Sequence, residues 1–397
     1  MTDSPHLKCD LLIKGGRVID PANGIDDFLD VAISGHVISA VARDIPESSA
    51  ARVAHVPSWL VTPGLVDLHA HFFGYFGAVF PDETCLPTGV TTALDAGGSG
   101  HLTFDTFNRE VIQRSAVRVF ALLNIAGEGM VGDPEQDVEG MDVSAAAAKI
   151  EQRADIIVGL KVAHFRGPGW QPLDHAVEAA RATGTFVMVD QTPIASRPMD
   201  QMMLEHMRPG DIVTHCYADS KPMVGASGQV KSYFREARER GIHFDVGHGA
   251  GSFSWKIAST AFDQGFPPDT ISTDLHRSSI LASNATMPET MSKMLECGMD
   301  LADVIRASTR EPALKLGHPE LGTLSQGAVA DVTVLEMQEG QFGLTDNGTT
   351  GQRVRQASRR LIAQMTICGG TVKWDLSGVS KEDWSNTPAP YEVPEEE

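Results

Sequence analysis

Cysteine is scarce in this chain, and basic residues are outnumbered by acidic ones. The five cysteines are scattered and include no CxxC pair, which argues against a disulfide framework. Lysine and arginine together number 32 against 52 aspartate and glutamate residues, for a formal net charge of −20. A surface this acidic repels nucleic acid and anionic membranes, so we expect neither as a partner.

Long hydrophobic runs are also missing. No stretch approaches the roughly 20 apolar residues that a membrane-spanning helix needs. The first 12 residues lack the charged and apolar regions of a secretory signal, so we expect a cytoplasmic protein. The GxSxG sequence that exposes a nucleophilic serine in many hydrolases is absent as well.

The sequence does contain a regular alternation of strand-like and helix-like segments. Eight apolar runs of strand length are separated by amphipathic segments, which is typical of successive βα units. The runs are residues 60–68, 90–95, 117–124, 156–162, 185–190, 211–215, 243–247 and 270–274. The chain of 397 residues is therefore predicted to be an α/β protein built on a TIM-like (β/α)8 barrel.

Both ends of the chain carry a different pattern, in which short alternating strands are punctuated by glycine. We predict that residues 1–61 and 320–376 meet in one small β-sandwich domain, with the barrel of residues 62–319 inserted between them. The acidic residues 377–397 are predicted to form a loose tail. The basic cluster at residues 353–360 is interpreted as a solvated helix face.

Residues 60–71 read LVTPGLVDLHAH and end in two histidines one residue apart. Because side chains at i and i+2 of a strand point to the same face, His69 and His71 would lie side by side. Neutral imidazole is a good ligand for zinc, and α/β barrels carry their chemistry at the carboxyl ends of their strands. The pair therefore indicates a metal site, with two histidines in an ordinary turn as the alternative.

Three further strand-like runs hold a polar residue where a core position favours an aliphatic one. Lys161 lies inside IIVGLKVAH, and a buried ammonium is costly unless it is neutralised or paired. Carbamylation by CO2 would turn this lysine into an anionic carboxylate able to bridge two cations. His215 ends the sixth run and Asp274 the eighth. Such residues at one rim of a barrel favour a functional centre over coincidence.

With these motifs in order along nearly the whole chain, the sequence resembles the amidohydrolase superfamily. The similarity runs from LLIKGGRVIDP through VTPGLVDLHAH, TGVTTALDAG and STDLH to GTLSQGAVADVTVLE. The VGLKVAH and STDLH segments are similar to its dihydroorotase-like, or amidohydrolase/deacetylase, group. The resemblance implies a distorted barrel, a flanking β-sandwich and a one- or two-metal site. It also implies hydrolysis of an amide or ester, cyclic or acyclic, in a small organic molecule.

The resemblance further implies roles for individual residues. His69, His71 and Asp274 would hold the more buried ion. Lys161, as a carbamate, would bridge this ion to a second one that His215 also binds. The two divalent ions are expected to be zinc, with manganese as the alternative. A hydroxide shared by the metals would attack the substrate carbonyl, with Asp274 as general acid/base.

One position departs from the family pattern. The fifth strand of two-metal relatives ends in histidine, whereas TFVMVDQTP places Asp190 there. Because carboxylates also ligate zinc, Asp190 is interpreted as a ligand of the second metal. Two alternatives stay open: a single-metal site with Asp190 as acid/base or substrate contact, and a second site filled by a group such as His248. An aspartate makes the centre one unit less positive than a histidine, which weakens attraction for an anionic substrate unless a basic residue compensates.

Several residues just beyond the strand ends are candidates for substrate contacts: His164, Arg166, His248, His276 and Arg277. Either arginine would pair with a substrate carboxylate through two parallel hydrogen bonds. We expect a homo-oligomer that acts on a small molecule. A single-metal deaminase of the same superfamily is one alternative, against which Lys161 argues. A catalytically silent oligomeric relative is the other, against which the joint presence of the ligands argues.

Overall fold

The structure, a computed structural model, describes residues 8–221, 223–348 and 351–386. The strands are β1 (Cys9–Asp20), β2 (Ile25–Ser34), β3 (Val37–Ala42), β4 (Ala50–His55), β5 (Leu60–Pro63), β6 (Leu65–Ala70), β7 (Val90–Gly100), β8 (Arg118–Asn124), β9 (Ile157–Ala163), β10 (Phe186–Asp190), β11 (Ile212–Val213), β12 (His243–Phe244), β13 (Val332–Gly348), β14 (Gly351–Cys368) and β15 (Thr371–Asp375). The α-helices are α1 (Pro81–Cys85), α2 (Phe104–Glu110), α3 (Val143–Gln152), α4 (Gln171–Thr183), α5 (Met199–Gln201), α6 (Ser232–Glu239), α7 (Trp255–Asp263), α8 (Arg277–Ser283), α9 (Met287–Glu296), α10 (Leu301–Ser308) and α11 (Arg310–Lys315). None of these helices is long and apolar enough to cross a membrane.

An eight-stranded sheet joins the two ends of the chain. Its order is β15-β14-β13-β5-β1-β2-β3, with β4 beside β1. Most neighbours are antiparallel, whereas β4 and β5 run parallel to β1. Apolar side chains from both chain ends pack into one buried cluster on this sheet, among them Leu11, Val31, Val61, Val332 and Ile367. The predicted β-unit built from both ends is confirmed.

The first predicted barrel strand, residues 60–68, is divided between two sheets. β5 pairs with β1 and β13 in the eight-stranded sheet, and β6 begins the barrel sheet. The break falls at Gly64, where a Cβ atom would lie 2.1 Å from Oγ1 of Thr91. Because glycine alone permits this approach, one apolar run can serve both sheets.

The barrel sheet has seven parallel strands in the order β12-β11-β10-β9-β8-β7-β6. The eighth predicted strand, residues 270–274, is not a regular strand. Single parallel bridges join Thr270 to Asp245 and Leu275 to Ala70, so this segment links the two ends of the sheet. Asp274 has a φ of 49°, in the left-handed region, which interrupts extended pairing. The barrel is therefore confirmed, with seven paired strands and one bridged segment.

The interpretation of residues 353–360 as a helix face is wrong. These residues belong to β14, which forms a long antiparallel hairpin with β13. The register places Arg353 opposite Asp346 and Arg359 opposite Glu339, so opposite charges meet across the strands. Of the predicted tail, residues 387–397 lie outside the described residues.

Candidate metal centre

The carboxyl ends of the barrel strands bring all six predicted metal ligands into one region. Lys161 lies in β9 and Asp190 is the last residue of β10, whereas His215 follows β11. The ligand atoms form two groups, within each of which they lie within 4.8 Å of one another. The first group is His69, His71 and Asp274, and the second is His69, Asp190 and His215.

The first group is arranged around one carboxylate oxygen. Oδ1 of Asp274 lies 3.0 Å from Nε2 of His71 and 3.5 Å from Nε2 of His69. Burial alone would raise the pKa of Asp274, but His69, His276 and His71 hold it well below the ordinary value. Asp274 is therefore an anion at neutral pH.

The second group contains two acceptors that face each other. Nδ1 of His215 donates to the carbonyl of Gly247 at 2.5 Å, so the lone pair of a neutral ring lies on Nε2. This nitrogen is 3.0 Å from Oδ2 of Asp190. A lone pair and a carboxylate repel at this distance unless a proton or a metal cation lies between them. Imidazole and carboxylate ligands suit zinc, so the residues present fit a divalent ion.

The ring of His69 is oriented by a chain of buried hydrogen bonds. The hydroxyl of Thr214 donates to Asp245 at 2.9 Å and therefore accepts the Nδ1 proton of His69, also at 2.9 Å. This leaves Nε2 of His69 free as a ligand atom. Neither Thr214 nor Asp245 was predicted from the sequence, although an aspartate inside the run HFDVGH was an available signal.

We expect Thr214→Val to lower the affinity for Zn²⁺ by about 10- to 100-fold, the usual effect of losing a partner that orients a histidine ligand. Valine keeps the shape but cannot accept the Nδ1 proton. The affinity is measured by titrating the chelator-treated protein against a coloured competitor. Thr91→Val is a matched control, because Thr91 is fully buried but its hydroxyl has no hydrogen-bond partner among the described residues. An equal loss of affinity in both variants would contradict the orienting role.

Lys161 is fully buried between the two groups. Its Nζ lies 3.0 Å from Nε2 of His69 and 3.9 Å from Oδ2 of Asp190. Burial lowers the pKa of this amine, although Asp190 and Asp274 oppose the effect. A Cβ atom at Gly97 would lie 2.5 Å from the Cβ of Lys161, so the glycine makes room for the lysine stem. The amine is thus placed between the two groups with its neutral form favoured by burial.

Lys221, which the sequence analysis missed, completes the surroundings of Asp190. Its Nζ lies 2.9 Å from Oδ1 of Asp190. Burial alone would raise the pKa of Asp190, but His215 and Lys221 hold it well below the ordinary value. No pattern marks Lys221, because it lies in a loop after β11 with no periodicity.

Two adjoining cavities lead to the centre. The inner cavity has a volume of about 230 Å³ and is lined by polar groups that include Asp190, His215 and Asp274. The outer cavity has a volume of about 730 Å³. Both are lined by Tyr75, His164 and Thr192, so these side chains mark the passage between them.

His164 and Arg166 lie where a substrate would meet them. Nδ1 of His164 is 3.1 Å from the buried carboxylate of Glu135, and this hydrogen bond raises the pKa of His164. Arg166 is exposed and lines the outer cavity. Both remain candidates for substrate contacts.

Of the two candidates that follow Asp274, only one borders a cavity. His276 lines the inner cavity, and its Nδ1 donates to the carbonyl oxygen of Asp274 at 2.7 Å. Arg277 is the exposed first residue of α8 and lies outside the linings of both cavities. The structure therefore does not place Arg277 at the centre.

The structure places His248 inside the fold, outside the linings of both cavities. Its ring is fully buried and stacks on Phe253 with centroids 4.8 Å apart. Nδ1 contacts the carbonyl of Gly249 at 3.0 Å, and Nε2 lies 2.9 Å from Nζ of Lys293. Because both ring nitrogens are used inside the fold, the structure does not bring His248 to the centre as a substrate contact or as a ligand of a second site.

Known proteins are similar to this chain in sequence and in structure. Residues 256–377 match the amidohydrolase family. A deacetylase of Enterococcus faecalis is 30% identical over 374 residues, which cover 91% of this chain and 98% of that protein. The crystal structure of an adenine deaminase has a TM-score of 0.83 at 30% identity, and covers 93% of this chain and 100% of its own. The crystal structure of a dihydroorotase has a TM-score of 0.80 at 28% identity, and covers 91% of this chain and 98% of its own. The chain therefore belongs to the amidohydrolase family, a family of hydrolytic enzymes.

Proposed function

We propose that this protein is a metal-dependent hydrolase that removes an acyl group from an amide or ester of a small organic molecule. The observation that carries the proposal is the placement of two ligand groups that share His69, with Lys161 buried beside that shared ring. The relative from Enterococcus faecalis is named a deacetylase, which supports an acyl substrate.

The ligand groups would hold two divalent ions, with zinc as the first choice and manganese as the second. One ion would be held by His69, His71 and Asp274, and the other by Asp190 and His215. When bound, such ions polarise a carbonyl and lower the pKa of a coordinated water toward ~7. Because a water activated in this way would serve as the nucleophile, no serine or cysteine nucleophile would be required.

Lys161 would act as a carbamate that serves both groups. Its neutral amine attacks CO2, an N–C bond forms, and one proton is released to give an anionic carbamate. The lowered pKa favours the neutral amine that this reaction needs. The carbamate would remove the cost of a buried ammonium and would supply carboxylate oxygens beside both ligand groups.

Asp274 is the proposed general acid/base. The carboxylate is ionised at neutral pH and lies at the inner cavity, so it can accept a proton from the attacking water. It would then pass this proton to the leaving nitrogen or oxygen. His276, bonded to the backbone carbonyl of Asp274, helps to hold this left-handed residue in place.

The two cavities suit a substrate with a small acyl end and a larger remainder. The inner cavity of about 230 Å³ would take the acyl group beside Asp274. The outer cavity contains the exposed side chains of Phe76 and Val131 together with Arg166. It would take an apolar leaving group. A carboxylate on this part of the substrate would pair with the guanidinium of Arg166.

A single-metal deaminase is the second candidate, because a structural neighbour at 30% identity is described as an adenine deaminase. This reaction would release ammonia from an amino-substituted ring. It would not require a carbamate on Lys161.

Metal analysis and a substrate screen separate the two candidates. We expect about two equivalents of metal per chain, and release of acid from N-acyl amino acids or O-acyl hydroxy acids. Lactones and cyclic imides complete the panel. One equivalent of metal with ammonia released from adenine would favour the deaminase. A protein that binds no divalent ion and turns over none of these compounds would contradict both.

A further inference from the structure

We propose that Lys221 is a positioning residue that neutralises Asp190, so that the aspartate acts at the second metal position as a neutral histidine would. This inference rests on the metal-dependent function proposed above. It goes further by naming the residue that compensates for the departure from the family pattern.

The two oxygens of Asp190 have different partners. Oδ1 accepts a hydrogen bond from the ammonium of Lys221, whose Nζ is 2.9 Å away. Oδ2 faces the ligand side, 3.0 Å from Nε2 of His215 and 3.9 Å from Nζ of Lys161. The carboxylate is therefore held by Lys221 through one oxygen and presents the other to the metal position.

Lys221 is itself held firmly. Its side chain is 2% exposed, and Nζ also donates to the carbonyl of Thr214 at 3.0 Å. Thr214 directly precedes His215, so the same ammonium links the strand-end histidine to Asp190. A buried ammonium is costly without a nearby anion, and Asp190 supplies that anion.

The pairing of Asp190 with Lys221 sets the net charge of the centre. Asp190 and Lys221 together carry no net formal charge, as a neutral histidine carries none. The ammonium of Lys221 thus offsets the one unit of negative charge that Asp190 adds to the centre in place of a neutral histidine. Changing either residue alone shifts the charge of the centre by one unit, and the two changes act in opposite directions.

The test compares four proteins: the wild type, Lys221→Met, Asp190→His and the double variant. The first measurement is the affinity of the chelator-treated proteins for the second equivalent of Zn²⁺, by calorimetric titration. The second is the affinity of the cobalt-loaded proteins for azide, followed by the visible spectrum. Azide is a small anion that reports the charge of the centre without any substrate.

We expect Lys221→Met to bind the second Zn²⁺ at least about tenfold more tightly and azide at least about tenfold more weakly, because the aspartate is no longer neutralised. Asp190→His should shift both affinities in the opposite directions. The double variant should return both values to within about threefold of the wild type. The melting temperature of the metal-free protein should fall in each single variant, because a buried charge loses its partner. It should recover in the double variant.

Lys293→Met is the matched control. Lys293 is another fully buried lysine, but its Nζ contacts His248 and not Asp190. Its removal should lower thermal stability without opposite shifts in metal and anion affinity.

Two results would overturn the inference. A loss of both metal and azide affinity in Lys221→Met that Asp190→His does not correct would make Lys221 a merely structural residue. Binding of only one Zn²⁺ by every variant would also overturn it, while a single-metal hydrolase would remain possible. Conversely, opposite shifts in a protein that hydrolyses no acyl compound would support the pair and contradict the proposed function.

Discussion

Lys161→Ala is expected to lower kcat by at least about 10³-fold, roughly 4 kcal/mol of transition-state stabilisation. The fully buried amine lies 3.0 Å from Nε2 of His69, beside both ligand groups. Without it the proposed carbamate cannot form, so a bridging ligand would be absent and metal content should fall. Initial rates and elemental analysis of the purified variant measure the two effects.

Chemical rescue separates the proposed carbamate from an ordinary buried lysine. Formate or acetate added to Lys161→Ala should occupy the vacated space and restore part of the metal content and activity. Lys293→Ala is the control for loss of a fully buried lysine, and should lower the melting temperature while keeping the metals. The carbamate would be refuted by a Lys161→Ala protein that retains both its metals and its turnover.

Asp274→Asn is expected to lower kcat by about 10² to 10⁴, the usual contribution of a general acid/base. The pKa of Asp274 lies well below its ordinary value because of the neighbouring histidines, which keeps the carboxylate available to accept a proton. Asparagine has nearly the same shape, but its amide accepts no proton near neutral pH. Its amide oxygen can still ligate, so metal content should fall little.

The two measurements on Asp274→Asn must be read together. If kcat falls while both metals stay bound, the proton-transfer role is supported. A variant with near-wild-type turnover would contradict that role, and loss of one metal equivalent would make Asp274 chiefly a ligand. Asp331→Asn is a suitable control, because Asp331 is also buried but pairs with Arg118 and not with histidines. It should leave kcat unchanged.

The sequence predicted the parts of the centre that follow from strand geometry. The spacing of His69 and His71 implied neighbouring rings, and their centroids are 5.2 Å apart in a T-shaped arrangement. A lysine within an apolar strand implied a buried amine, and Lys161 is fully buried. These predictions succeeded because the two-residue period of a strand and the common direction of parallel strands are local rules.

Predictions for the loops and for the eighth strand were less successful. His248 was expected at the substrate and is instead buried against Phe253 and Lys293. The segment at residues 270–274 was expected to be a strand, but the left-handed backbone of Asp274 interrupts it. In both places, contacts with residues distant in the sequence override the local pattern.

By itself the sequence determined the barrel and the β-unit built from both chain ends, because hydrophobic periodicity suffices for each. Residue type at the strand ends marked five ligand candidates, and the resemblance to the amidohydrolase superfamily added Asp190 as the sixth. Only the tertiary structure decided that Oδ2 of Asp190 faces His215, that Lys221 contacts Oδ1, and that Thr214 and Asp245 orient His69. Hydrogen bonds between side chains from different strands and loops depend on distances that appear only when the barrel closes. No spacing along the chain encodes such distances, so these partners became visible only in the folded protein.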